Sequence, residues 1–298
     1  MNNTFNRIIY SLNRRGLLSF LSDKAYIKLM FYLAFGKKIN LKSPKMYSEK
    51  LQWLKLYDRK KEYSDFVDKY EVKKHVSKVI GENYIIPTLG LWNTFDEIDF
   101  EKLPNQFVLK FTHDSGGIVI CKDKNTLDLE KAKQKIEKSL KTNYYKLGRE
   151  WPYKNVKPRI IAEKYMEDSK TGELRDYKFF AFDGDVKAVF IASDRYSDEE
   201  TKFDFFDSDF NHLPFTNGHP NAKTIPDKPK CFDEMKSLAA KLSVNIPQIR
   251  VDFYEVDGKV YFGEMTFFHW GGMKPFNPEK WDYVFGDWIK LPEKSDIK

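Results

Sequence analysis

The spacing of apolar residues changes period several times along the chain, and each change predicts an element. From residue 17 to 80 the apolar side chains recur at helical spacing. Leu51, Leu54 and Tyr57 share a face there with Trp53 beside them, and the segment around Ser48 opens after Pro44. Past Tyr84 the period shortens. Ile85-Ile86-Pro87 and Leu89-Gly90 predict a short strand with turns, and residues 96–103 a connector. Residues 107–111 and 118–122 predict two strands of a hairpin over the glycine-rich loop 112–117. Leu127, Leu129, Ala132, Ile136 and Leu140 return to helical spacing, with lysines and glutamates opposite. Residues 159–166 predict another strand. Asp183-Gly184 between residues 176–182 and 186–192 is a hairpin signal, because both residue types tolerate the positive φ that a tight turn needs. Residues 196–231 hold most of the Asn, Asp, Pro and Gly of the second half and predict a long irregular excursion. Residues 232–242 read as an amphipathic helix, and residues 249–255 and 260–265 as a last hairpin turning at Asp257-Gly258. Hairpins outnumber βαβ units, which predicts an α+β fold with antiparallel sheets.

At 298 residues the chain has room for two or three packed lobes. Lys and Arg number 51 against 44 Asp and Glu, a net charge of +7 that suits an anionic partner. The surplus is spread out, with no Arg-rich block and no nucleic-acid-binding signature, so no nucleic acid partner is expected. No stretch reaches the ~20 apolar residues of a membrane span. The best candidate, residues 17–35, is interrupted by Asp23, Lys24 and Lys28. The first ten residues lack the apolar core of a secretory leader. Cys121 and Cys231 stand far apart, which argues against a disulfide framework or structural zinc. Together these features predict a cytoplasmic protein.

Three segments carry the candidate chemistry. The hairpin 249–266 places Arg250, Asp252 and Glu264 on otherwise apolar strands. Burying a carboxylate is costly without a cation, and two carboxylates near one point suit a hard cation such as magnesium, which shares its oxygen ligands with phosphates. Arg250 falls on the same strand face as Asp252, where it can stabilise a phosphoryl group or an oxyanion. A solvated surface hairpin remains an equal alternative. Parity adds a condition. A two-residue turn at Asp257-Gly258 sets Asp252 opposite Gly263 and turns Glu264 to the other face, so joint metal binding requires an odd loop or a β-bulge. The second segment leads from Lys110 into His113-Asp-Ser115-Gly116-Gly117; a lysine before a glycine loop can reach phosphate, although the segment also reads as an ordinary turn. The third is Glu163-Lys164-Tyr165-Met166 at a strand end, with a carboxylate, an ammonium and free backbone groups beside apolar walls, or else a surface ion pair.

Taken in order, with Asp68-Lys69-x-x-x-Lys73 upstream, these segments resemble the ATP-grasp superfamily over about residues 65–275. The run from Phe262-Gly-Glu-Met-Thr266 to Gly272, followed by Pro275, Pro278, Trp281 and Asp282, looks like its TupA-like branch, associated with teichuronopeptide and other surface-polysaccharide synthesis. The resemblance implies two antiparallel-sheet lobes clamping ATP and Mg²⁺. Residues 1–65 would form a helical N-terminal region, 66–165 the first lobe with its lid loop 112–117, and 166–298 the second lobe with the metal-binding hairpin. It further implies that Lys69 and Lys110 contact phosphates and that Ser115, Gly116 and Gly117 form the lid. Glu163 and Met166 would meet adenine with Lys164 alongside, and Asp176 and Lys178 would face the phosphates. Asp252, Glu264 and Thr266 would bind magnesium, with Arg250 on the transferred phosphate. Thr266 stands where the usual ligases carry Asn, and the customary N-terminal α/β lobe is not recognisable in residues 1–65.

The activity so implied joins a carboxylate, activated as an acyl phosphate, to an amine, with a uronic acid or sugar-linked carboxylate as the expected acceptor of an amino acid or amine in capsule synthesis. The alternatives are an ATP-using sugar kinase or a capsule glycosyltransferase, and a non-catalytic module. The last would use Arg14, Arg15, Lys37, Lys38, Lys42 and Lys45 around residues 17–35 for peripheral contact with the inner face of the membrane.

Overall fold

The computed structural model describes residues 3–113, 117–140, 143–172, 174–193 and 200–293. Its N-terminal third is helical: α1 (Asn3–Arg14), α2 (Asp23–Phe35), α3 (Tyr47–Tyr57), α4 (Tyr63–Val67) and α5 (Val72–Ile80). Later helices are α6 (Leu129–Leu140), α7 (Tyr144–Gly148), α8 (Phe232–Leu242) and α9 (Lys280–Trp288). Local chemistry starts α3 after the Pro44 loop. The Glu49 carboxylate accepts from the backbone N–H groups of Asn40, Lys45 and Met46 at 2.8, 3.0 and 3.3 Å, using donors that a helix entry otherwise leaves unmet. Asp282 of α9 then receives Ser48 N and Oγ at 2.8 Å each, which ties α9 across the start of α3.

Four strands build the smaller sheet: β1 (Thr88–Trp92), β2 (Phe107–Phe111), β3 (Val119–Cys121) and β4 (Ile160–Lys164), in the order β1-β4-β2-β3. Alternation sorts their side chains. Phe107, Leu109 and Phe111 join Ile160 and Ala162 in a core with Ala132 and Ile136 of α6. The intervening Val108, Lys110 and Glu163 therefore face the other way, toward the second sheet.

That second sheet has six strands: β5 (Asp176–Phe182), β6 (Asp185–Ser193), β7 (Lys202–Asp207), β8 (His212–Leu213), β9 (Ile249–Val256) and β10 (Lys259–Thr266), in the order β10-β9-β5-β6-β7-β8. All the ladders are antiparallel, as expected. Asp257 and Gly258 have φ of 51° and 74°, and Asp183 and Gly184 of 49° and 85°, the signs a type I′ hairpin turn needs. One face of the sheet packs on α8, where the Phe179 and Phe232 rings lie 5.7 Å apart. On the opposite face Phe180 meets Tyr47 of α3 and Phe285 of α9 edge-on at 6.3 and 5.3 Å. The large core thus includes α3 and α4 as well as the sheet, whereas α2 heads a small separate cluster.

One expectation is corrected. Residues 202–207 are a strand inside the stretch read as irregular. Buried residues follow one another from Phe203 to Phe206 without alternation, because both faces of this strand are covered. Buried Asp204 accepts from the backbone N–H of Ala222 at 3.2 Å.

Candidate active site

The geometry is set by register. In β9 and β10, Phe262 pairs with Phe253 but Glu264 pairs with Asp252, so Gly263 is an extra residue. This is the β-bulge that joint placement of the two carboxylates requires, on top of a two-residue turn. Glycine suits the position: a Cβ there would lie 3.0 Å from the Asp252 carbonyl and 3.1 Å from the Tyr254 ring. Lys178 of β5 pairs with Asp252 from the other side. Lys178, Asp252 and Glu264 therefore form one row across three strands, with Arg250 and Thr266 in the next.

Arg250 is 8% exposed and spans both carboxylates. Its Nε donates to Asp252 Oδ1 at 2.7 Å and its Nη2 to Asp252 Oδ2 at 2.8 Å. Nη2 also reaches Glu264 Oε1 and Thr266 Oγ1, each at 3.0 Å, and Thr266 Oγ1 donates to Glu264 Oε1 at 3.1 Å. Lys178 Nζ pairs with Asp252 Oδ2 and stands 3.3 Å from Asp176 Oδ1. Lys69 Nζ lies 4.0 Å from Glu264 Oε2. Burial alone would raise the Glu264 pKa, but Lys69, Lys178 and Arg250 outweigh it and bring the group to about 2. Behind the row, Arg250 Nη1 lies 3.0 Å from His269 Nδ1, and His269 Nε2 lies 3.1 Å from Asn217 Oδ1.

The smaller sheet contributes a second charged knot. Glu163 is 5% exposed and clasped between Lys73 and Lys110, with N–O distances of 2.7 and 2.6 Å. Burial pushes its pKa up, and the two ammonium groups more than reverse this, to about 2. Asp68 positions the first lysines. It accepts from the backbone N–H groups of Tyr70 and Glu71 at 2.8 and 3.1 Å and from Arg159 at 2.9 Å, while Lys69 N donates to the Thr112 carbonyl.

Between the sheets lie two adjoining cavities, of about 570 and 510 Å³, that share Lys110, Ile118, Ala192 and Tyr254 as a common wall. The first is largely apolar, lined by Ile86, Val108, Ile120, Met166 and Leu174, with Glu163 and Lys164 at its polar side. The second holds Lys69, Lys178, Arg250, Asp176, Glu264 and Thr266. Its far wall is aromatic, with Tyr144, Tyr153, Phe203 and Trp270 beside Glu150. That wall is anchored from behind: buried Lys55 donates to the carbonyls of Gly148 and Gly271 at 2.9 and 2.7 Å, and Gln52 to those of Gly271 and Gly272 at 2.9 and 3.1 Å.

Asp252, Glu264 and Thr266 offer oxygen alone, the donor a hard cation prefers. Among the described residues no group of three or more His, Cys, Asp and Glu stands together as a metal cage. The donors fit a magnesium ion that completes its shell with water or phosphate oxygens, and they do not fit a cage made by protein alone.

Of the residues singled out from sequence, Lys69, Lys110, Asp176, Lys178, Arg250, Glu264 and Thr266 line the second cavity, with the Asp252 side chain bonded to two of them, Lys178 and Arg250. Glu163, Lys164 and Met166 line the first. Gly117 is buried, while Ser115 and Gly116 lie outside the described residues. Sequence reasoning quoted Lys73, Tyr254 and His269 within their segments without a role, and missed Glu150 and Asn217. Asn217 is isolated in sequence and gave no spacing to read.

Two facing antiparallel sheets with a charged cleft between them define an ATP-grasp fold. The sequence profile described as TupA-like ATPgrasp matches residues 49–290, and the chain belongs to that family. Among solved structures it is similar to the L-amino acid ligase from Bacillus licheniformis, with 12% identity over 94% of this chain and 65% of that one, and a TM-score of 0.50. It is also similar to D-alanine–D-alanine ligase from Helicobacter pylori, with 14% identity, 83% and 68% coverage and a TM-score of 0.45. The same enzyme from Bacillus anthracis, complexed with ATP, shows 18% identity, 67% and 54% coverage and a TM-score of 0.39. At 12% identity the likeness to the first of these is one of fold alone, and the chain spans little more than half the length of the last. No curated protein matches the chain in sequence.

Proposed function

We propose that this protein is an ATP-dependent ligase that activates a carboxylate as an acyl phosphate and joins it to an amine. The observation that carries this reading is the convergence of Lys69, Lys110, Lys178 and Arg250 on one cavity lined also by Glu264 and Thr266, with buried Asp252 bonded to Lys178 and Arg250 just beneath them. Four cations beside an all-oxygen face suit a metal-bound triphosphate, and the adjoining apolar cavity suits a purine. In this reading Met166 and Glu163 border the base, with Lys164 at the rim, and Lys69, Lys110 and Lys178 hold phosphate oxygens. Asp176 keeps Lys178 in place. Magnesium, held by Asp252, Glu264 and Thr266, would neutralise charge on the phosphates. Arg250 would meet the transferred phosphoryl group as its Nε–Nη2 edge exchanges carboxylate for phosphate. The site acts by orientation and fixed charge, and the aromatic wall beside Glu150 is where the acceptor would enter.

The branch to which the chain belongs supports a uronic acid or sugar-linked carboxylate as one substrate and an amino acid or amine as the other, in capsule or cell-surface polysaccharide synthesis. A cytoplasmic setting, with peripheral contact at the inner membrane face through the N-terminal helices, belongs to the same proposal. Among the described residues no helix is long and apolar enough to cross a membrane.

Hydroxylamine tests the chemistry, since it converts an acyl phosphate to a hydroxamate. A panel of uronic acids with Mg-ATP and hydroxylamine should yield hydroxamate matching ADP release. ADP release without hydroxamate would instead favour a sugar kinase, and absence of both across the panel would remove the support for a uronic acid substrate.

A further inference from the structure

Asn217 lies within the stretch 196–231 that sequence left without a role, and the antiparallel bridge between Thr216 and Asn277 pins it beside the site. Its Nδ2 donates to the carbonyls of Lys274 and Pro275 at 3.0 and 3.2 Å. A flipped amide would turn its oxygen against those two carbonyls, so the orientation is determined and Oδ1 is the acceptor end. That oxygen lies 3.1 Å from His269 Nε2, which must therefore carry the hydrogen. Nδ1, bare in the neutral ring, then accepts from Arg250 Nη1 at 3.0 Å. The ring is 4% exposed, edge-on to Phe180 at 5.1 Å. Burial, then Arg250 and Lys178, drive its pKa well below the usual histidine value, as a ring facing two cations requires.

Among the described residues the remaining hydrogen-bond partners of the Arg250 side chain are Asp252, Glu264 and Thr266, the same oxygens that a cation would claim, while the Phe190 ring, 5.7 Å from the guanidinium, offers it a face but no acceptor. A guanidinium whose hydrogen bonds went to those oxygens alone would lose its in-plane orientation when the cation arrived. We propose that His269, held as its Nε2–H tautomer between the Asn217 oxygen and the Arg250 donor, is a positioning residue that anchors Arg250 through Nη1 and leaves the Nε–Nη2 edge free to turn from carboxylate to phosphate. The proposal rests on the reading of Arg250 as a phosphate-facing group, but its first test does not.

Nitrogen-15 spectra of the free protein, with the His269 signals assigned by their loss in His269→Asn, should show a neutral Nε2–H ring from pH 8 to 5. Asn217→Ala, which leaves the donor-only Arg250 facing Nδ1, should keep the Nε2–H tautomer. An Nδ1–H ring in either protein, or a charged ring, overturns the proposal. The second test is affinity for Mg-ATP against Mg-ADP by calorimetry. His269→Phe keeps the ring shape but removes the acceptor, and should weaken ATP about tenfold while leaving ADP within about threefold. His269→Asn, which restores an acceptor near Nδ1, should recover most of that loss. Should His269→Phe fail to fold, Asn217→Ala and His269→Asn carry the comparison. Equal affinities in all folded variants, or parallel loss of both nucleotides, overturn it. If the unaltered protein binds neither nucleotide, the nucleotide reading and the anchoring role fall together, while the spectra still decide whether the tautomer is locked.

Discussion

Replacing Glu163 by Gln keeps the shape and removes the charge that holds Lys73 and Lys110 together. The carboxylate has an ordinary pKa of 4.5 and sits at about 2 in the folded protein. At about 1.4 kcal/mol per tenfold change in proton affinity, that difference is worth about 3 kcal/mol to the fold. It agrees with the ~3–5 kcal/mol lost when one partner of a buried pair is removed. The sign follows from the direction: a depressed carboxylate stabilises fully above its unfolded value, and the contribution fades as pH falls from 4.5 through about 2. Glu163→Gln should therefore lower the melting temperature by roughly 6–12 °C at pH 7, taking about 2–4 °C per kcal/mol. The difference from the unaltered protein should be flat between pH 8 and 5 and should narrow below about pH 4.5. Chemical denaturation across that range measures it. A variant as stable as the parent at pH 7, or a gap that changes between pH 5 and 8, would show that the two lysines do not depend on this carboxylate.

Gly263→Val should destabilise by about 1–3 kcal/mol through overpacking against the Asp252 carbonyl and the Tyr254 ring. It should also weaken Mg-ATP binding in calorimetry, and unchanged affinity would show that the bulge does not set the site. Asp252→Asn should stop ADP release while circular dichroism reports an intact fold; retained turnover would count against the metal role. Asp282 behaves oppositely to Glu163. Burial raises its pKa to about 6 despite the Ser48 hydrogen bonds, so its ionisation costs stability as pH rises from about 4 through 6. Asp282→Asn should accordingly gain stability relative to the parent at pH 8 and lose that advantage by pH 4, measured by urea unfolding. A constant difference across the range would refute the assignment.

How much was legible depended on whether an element announces itself locally. Asp183-Gly184 and Asp257-Gly258 did so because the turns need positive φ at both residues. The need for a bulge followed from parity alone, although only the fold identifies Gly263 as the extra residue. Strand 202–207 escaped because a strand covered on both faces does not alternate, and Asp204 made the run look like loop. The pairing of Lys73 with Glu163 spans ninety positions of chain and needs the β2–β4 register to appear. Asn217 and His269 meet only because the stretch around Thr216 is pinned at Asn277, a contact with no local signature.

Lys55 and Gln52 on α3 give the aromatic end of the cleft a common footing, since residues 148 and 271 are fastened to the same helix. Separating them would break two hydrogen bonds from a buried ammonium group, each worth about 1.5–3 kcal/mol. The two loops are therefore held as one unit, and the aromatic end of the cleft is braced by the same helix that packs on the large sheet.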